Sequence, residues 1–140
     1  MPRWERGGMT EQFVDVIDDD AAHRKLMRIL VAEAGYAPRM HAAAESALAL
    51  ARKSPPGLVI ADVQLRGEMD GVELTRALKA APETAHVPVL IVSAFAASTD
   101  EARARRAGCD AWLPKPLDTR EFVSLVRWLL TQWASDVEAI

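Results

Sequence analysis

Short apolar runs alternate with longer amphipathic segments along most of the chain. The clearest apolar runs are residues 58–61 and 87–92, and weaker ones lie at 13–17, 37–41 and 110–113. Continuous apolar runs are typical of strands buried on both faces, as in a parallel sheet covered by helices. The pattern therefore predicts five short strands with the character of a parallel sheet.

The segments between these runs have helical periodicity. In residues 21–34, apolar side chains recur at Leu26, Met27, Leu30 and Val31, and Gly35 follows as a stop signal. Further helices are predicted at residues 44–52, 72–80 and 98–107, and from Asp118 or Thr119 to about Trp133. Five strands alternating with five helices predict a three-layer, doubly wound α/β domain.

The chain has room for one such domain. We predict a flexible leader at residues 1–12, the folded domain at 13–133 and a C-terminal tail at 134–140. About ten residues remain after Leu130, which are too few for a DNA-binding output domain. A complete single-domain protein and a domain cut from a longer protein both fit this organisation.

Composition narrows the function classes. The 140 residues are 50% hydrophobic and 26% charged, as in a soluble globular protein, and the net charge of −3 disfavours direct nucleic-acid binding. Cys109 is the single cysteine, so we expect neither a disulfide nor a redox role. No apolar run approaches the ~20 residues that span a bilayer, and no signal peptide is evident. We therefore expect a cytoplasmic protein without membrane contact.

Polar residues end the predicted strands. Asp18 and Asp19 follow the first strand, Asp62 ends the third, Ser93 ends the fourth and Lys115 follows the fifth. In a doubly wound fold these positions share the carboxyl edge of the sheet, where ligands bind. Clustered carboxylates without His or Cys favour Mg²⁺. A nearby lysine and hydroxyl suit a phosphoryl group bonded to Asp62.

These residues resemble the receiver domain of bacterial two-component response regulators. The resemblance runs from about Phe13 to Leu130. Its motifs are residues 16–20 (VIDDD), 56–62 (PGLVIAD), 69–71 (MDG), 87–94 (VPVLIVSA), 107–108 (AG) and 112–116 (WLPKP). It implies the flavodoxin-like (βα)5 fold with strand order 2-1-3-4-5.

The resemblance also implies a role for each matching residue. Asp62 is the expected phosphoacceptor. Asp19, Asp62 and the backbone carbonyl of Gln64 are expected to bind Mg²⁺ directly, and Asp18 through a metal-bound water. Asp20 is better interpreted as a helix cap than as a ligand.

The phosphoryl group has its own expected partners. Ser93 is expected to receive a phosphoryl oxygen and Lys115 to pair with the phosphoryl group. The bond from Lys115 to Pro116 is expected to be cis. Ala94 is small and would leave an access path to Asp62. The apolar ring of Phe95 is expected to slow hydrolysis.

Signalling would pass through the surface of the fourth helix, fifth strand and fifth helix. Arg103 lies in that region, although an arginine on a helix is usually only solvated. Trp128 is either a boundary residue under the tail or an exposed anchor for a partner or a second copy. Trp112 replaces the usual Tyr or Phe of the switch, and Arg66 replaces a frequent proline.

The expected phosphodonor is a sensor histidine kinase or a histidine phosphotransfer protein, and an unidentified downstream protein receives the signal. A phosphorylation-dependent homodimer is a further possibility. The receiver itself would not be an enzyme. One alternative is an aspartate-nucleophile phosphatase of the haloacid dehalogenase type, but Gln64 stands where such an enzyme has a second carboxylate. Another is a pseudo-receiver that binds partners without phosphorylation. The three histidines show no metal-binding spacing and receive no role.

Overall fold

Five strands and five helices alternate in the computed structural model, which describes residues 13–94 and 98–139. The strands are β1 (Phe13–Ile17), β2 (Ala37–His41), β3 (Leu58–Asp62), β4 (Val89–Ser93) and β5 (Ala111–Pro114). The helices are α1 (Ala21–Glu33), α2 (Ala44–Lys53), α3 (Gly71–Ala80), α4 (Ser98–Ala107) and α5 (Thr119–Ala139).

The strands form one parallel sheet in the order β2-β1-β3-β4-β5, as predicted. β2 and β5 are the edge strands. The chain order reverses between β1 and β3, so the carboxyl ends of these strands flank the crevice typical of this topology. Among the described helices, none is both long and apolar enough to cross a membrane.

Two apolar clusters cover the two faces of the sheet. Val14 and Val16 point to the cluster that includes α1 and α5, whereas Ile17 belongs to the cluster that includes α2, α3 and α4. Because β1 is buried on both faces, its one charged residue needs a partner. Arg39 of β2 supplies it, with guanidinium nitrogens 2.6 and 3.0 Å from the carboxylate oxygens of buried Asp15.

Polar side chains cap three of the helices. Asp20 accepts a hydrogen bond from the backbone N–H of His23 at 3.0 Å, which confirms its predicted role as the cap of α1. Asp70 and Glu73 form a reciprocal capping box at the start of α3. Asp118 caps α5 by accepting from the backbone N–H of Glu121 at 3.0 Å.

The largest differences from the predicted element bounds lie at the start of β4 and the end of α5. β4 begins at Val89 instead of residue 87, since Pro88 has no N–H for a sheet ladder. α5 continues to Ala139, so its predicted end near Trp133 is wrong. Residues 119–139 contain neither glycine nor proline to stop the helix. The predicted leader at 1–12 lies outside the described residues.

Candidate functional site

A cavity of about 400 Å³ opens at the carboxyl edge of the sheet. It gathers residues from the ends of β1 and β3, the first turn of α1, and the loops that follow β3, β4 and β5. Its lining residues are Asp18, Asp19, Asp20, His23, Asp62, Gln64, Leu65, Arg66, Ala94 and Lys115. The predicted convergence of Asp18, Asp19, Asp62 and Lys115 is therefore present in the fold.

The ammonium group of Lys115 joins the ends of three strands. Its Nζ lies 2.8 Å from Oδ2 of Asp62 and 3.0 Å from Oδ2 of Asp18. Burial acts to lower the pKa of Lys115, but hydrogen bonds and charge from Asp62 and Asp18 outweigh it and raise this pKa above its ordinary value. Lys115 therefore stays cationic and offsets the repulsion between the two carboxylates.

Asp18 is fixed from several sides. Its side chain is fully buried, and Oδ1 accepts a 2.8 Å hydrogen bond from the backbone N–H of Asp20. Its backbone carbonyl accepts from Nη1 of Arg24 at 2.7 Å. This carboxylate is consequently held in one orientation below the cavity mouth.

Asp62 is the carboxylate at the end of the central strand. It is 9% exposed, and its Oδ1 accepts a 3.2 Å hydrogen bond from the backbone N–H of Gln64. Gly71, at the start of α3, packs directly behind it: a Cβ at that position would lie 2.0 Å from the backbone oxygen of Asp62. The backbone of α3 thus supports the end of β3 at contact distance.

Ser93 and Ala94 occupy different layers of the site. Ser93 is buried at the end of β4, and its backbone carbonyl accepts from the backbone N–H of Lys115 at 2.7 Å. Ala94 is exposed and lines the cavity, whereas Ser93 is not among the lining residues. The peptide bond between Lys115 and Pro116 is cis, which confirms that expectation.

The donor atoms at this edge suit a hard cation. Asp18, Asp19 and Asp62 provide carboxylate oxygens, and Gln64 lines the same cavity. Within the described residues, however, no three His, Cys, Asp or Glu side chains are grouped closely enough to hold a metal ion. The ammonium of Lys115 lies between two of these carboxylates, those of Asp18 and Asp62.

His23 and Arg66 line the cavity, although neither had a predicted part in the site. His23 had no predicted role, yet its Nδ1 lies 3.1 Å from Nζ of Lys115. Arg66 was identified only as a replacement for the usual proline, yet its backbone N–H donates a hydrogen bond to Oδ2 of Asp19 at 3.0 Å. The position of His23 in the first turn of the helix after Asp18 was the one available signal.

The predicted signalling residues lie away from the cavity. Trp112 is half-buried in β5 and packs against the cluster on the α2–α4 face. Arg103 of α4 pairs with Asp100 at 3.4 Å and with Asp70 at 3.5 Å, so it is partly engaged within the domain. Trp128 is 51% exposed on α5. Phe95 lies outside the described residues.

A family model for the response regulator receiver domain matches residues 14–127, from β1 into α5. The chain belongs to this family. Receiver domains act as signalling switches in two-component systems, and this membership leaves the phosphatase alternative without support.

Named relatives agree with this assignment. The receiver is 37% identical over 114 residues to the polar-differentiation response regulator DivK of Brucella ovis. The alignment covers 81% of this chain and 92% of that protein. A solved response regulator from Chloroflexus aurantiacus superposes with a TM-score of 0.80 at 29% identity, covering 85% of this chain and 97% of that one.

The receiver domain of a sensor histidine kinase from Pseudomonas aeruginosa has the same fold. Its TM-score is 0.77 at 23% identity, and the alignment covers 84% of this chain and 97% of that one. That structure holds a magnesium ion coordinated in its active-site cleft.

Proposed function

We propose that this receiver accepts a phosphoryl group on Asp62 from a phosphohistidine of a sensor histidine kinase or a histidine phosphotransfer protein. The observation that carries the proposal is the 2.8 Å contact between Nζ of Lys115 and Oδ2 of Asp62 at the floor of an open, carboxylate-lined cavity. An anion arriving at Asp62 meets a positioned cation there.

The transfer follows from the chemistry of these groups. A carboxylate oxygen of Asp62 attacks phosphorus, the P–N bond to the donor imidazole breaks, and the donor nitrogen keeps the bonding electron pair and takes up a proton. The product is an acyl phosphate on Asp62. Lys115 then pairs with a phosphoryl oxygen in place of the carboxylate. Ser93, one residue below the lining Ala94, is proposed to receive a second phosphoryl oxygen.

A divalent cation fits the donor set on this edge. Asp19, Asp62 and the backbone carbonyl of Gln64 would hold Mg²⁺ directly, and Asp18 would act through water. All of these donors are oxygens, which Mg²⁺ prefers over nitrogen and sulfur. When bound, the ion neutralises charge on the transferring phosphoryl group. A magnesium ion in the cleft of a protein with this fold supports the assignment.

We further propose that this receiver works as a switch in the cytoplasm and is not an enzyme. Its output surface would be α4, β5 and α5, where Trp128 presents a half-exposed indole to a downstream protein or a second copy. Trp128→Ala should then weaken association in sedimentation measurements and leave phosphorylation unchanged. If Trp128→Ala associates as strongly as the unchanged protein, this role is contradicted.

Intact mass spectrometry after mixing with Mg²⁺ and acetyl phosphate tests the acceptor. We expect a gain of one phosphoryl group that is lost slowly by hydrolysis. Asp62→Asn should show no gain, whereas Asp100→Asn, which changes a carboxylate outside the cavity, should behave like the unchanged protein. A phosphorylated histidine phosphotransfer domain serves as a second donor. No gain from either donor would favour the pseudo-receiver alternative.

A further inference from the structure

The ammonium of Lys115 has three hydrogen-bond partners. Besides Asp18 and Asp62, Nδ1 of His23 lies 3.1 Å from Nζ. A lysine ammonium carries three N–H donors and no acceptor. The three partners therefore use every donor that Lys115 has, and they come from the loop after β1, the end of β3 and the first turn of α1.

The contact between Nζ of Lys115 and Nδ1 of His23 constrains the tautomer of the ring. A lysine ammonium can only donate, so a hydrogen bond across this 3.1 Å contact requires the tautomer in which Nδ1 accepts and the ring proton is on Nε2. The ring sits at the cavity mouth, where its side chain is 48% exposed. The cap bond from the backbone N–H of His23 to Asp20 anchors the first turn of α1 beneath it.

We infer that His23 is a positioning residue for phosphoryl transfer, and this inference rests on the proposed function of Asp62. When Asp62 is phosphorylated, one donor of Lys115 turns to the phosphoryl group. Asp18 and His23 then hold the ammonium in place from two other directions. His23 acts through Lys115, and it is Lys115 that contacts the phosphoryl group.

Two substitutions distinguish the effect of the acceptor atom Nδ1 from the effect of the volume of the ring. His23→Phe keeps a ring at the cavity mouth but removes Nδ1, whereas His23→Asn places an amide oxygen near the position of Nδ1. Lys25→Ala, an exposed change on the same helix, is the matched control. The readout is the rate of phosphoryl gain from acetyl phosphate and Mg²⁺, measured by intact mass.

Loss of one hydrogen bond of ordinary strength, as expected at a half-exposed ring, should slow phosphoryl gain roughly three- to tenfold in His23→Phe. His23→Asn and Lys25→Ala should remain within about twofold of the unchanged protein, because both leave an acceptor beside Lys115. If His23→Phe matches the unchanged protein, or if His23→Asn slows as much as His23→Phe, the inference is wrong. In either case the proposed role of Asp62 still stands, since the unchanged protein gains its phosphoryl group.

A spectroscopic measurement tests the contact without phosphorylation. Nitrogen NMR of the unchanged protein should show His23 protonated on Nε2 and unprotonated on Nδ1. Lys115→Met should shift the Nδ1 resonance, and Lys25→Met should not. A ring that carries its proton on Nδ1, or that does not respond to Lys115→Met, overturns the inference even if Asp62 accepts no phosphoryl group.

Discussion

The backbone N–H of Arg66 donates a 3.0 Å hydrogen bond to Oδ2 of Asp19. This bond joins the loop after β3 to the end of β1 and orients the carboxylate proposed to bind Mg²⁺. The side chain of Arg66 is 91% exposed, and its Nε lies 3.7 Å from the same oxygen. The backbone of Arg66, more than its side chain, therefore supports the site.

Arg66→Pro removes that N–H, whereas Arg66→Ala keeps it. Proline cannot donate the bond, so we expect Arg66→Pro to be less stable than Arg66→Ala by about 1 kcal/mol. Urea denaturation of both variants measures the difference. Equal stability would show that the bond to Asp19 contributes nothing to folding.

Gly71→Ala should be strongly destabilising. The new Cβ would lie 2.0 Å from the backbone oxygen of Asp62, and a backbone atom cannot move aside as a side chain can. We expect a loss of about 3 kcal/mol in the free energy of unfolding. Gly35→Ala is the comparison: Gly35 has φ 100° and open space around it, so about 1 kcal/mol is expected from the backbone alone. A smaller loss at Gly71 than at Gly35 would contradict this explanation.

The ion pair between Asp15 and Arg39 should behave non-additively. Arg39→Met leaves a buried carboxylate without its partner, which typically costs about 3–5 kcal/mol. The double variant Asp15→Val, Arg39→Met removes both charges and should be more stable than Arg39→Met. A double-mutant cycle by urea denaturation tests this. If the double variant loses as much free energy of unfolding as the two single variants lose together, Asp15 and Arg39 are not coupled.

Cys109 should react slowly with iodoacetamide while the protein is folded. Burial raises the pKa of its thiol above the ordinary value of 9.0. We therefore expect the inflection of the labelling rate to lie above pH 9.0 in the folded protein and near that value in urea. The unfolded chain releases this proton first, so the folded state loses stability as pH rises beyond 9.0. A folded-state inflection below pH 9.0 would contradict the prediction.

The strands and their polar ends were predictable because they depend on local patterns. The apolar run of β3 ending at Asp62 and that of β4 ending at Ser93 identify both the sheet and its functional edge. Parallel topology then brings together residues that are far apart in the sequence. The roles of Ser93 and Lys115 in phosphoryl transfer remain predictions.

The contacts that were missed depend on geometry that no local pattern encodes. His23, in the first turn of α1, meets Lys115, which follows β5, across 92 positions of the sequence. The partner of Asp15 becomes identifiable only when the register between β1 and β2 pairs it with Arg39. The end of α5 was misjudged because no glycine or proline marks it.

Both edge strands of the sheet contain a proline, Pro38 in β2 and Pro114 in β5. Proline has no N–H to offer an incoming strand, and natural sheets use it at their edges to prevent pairing with other chains. These prolines therefore oppose fibre growth by strand addition at both edges of the sheet. Association with a second copy of the chain is therefore expected through the helices instead of the edges of the sheet.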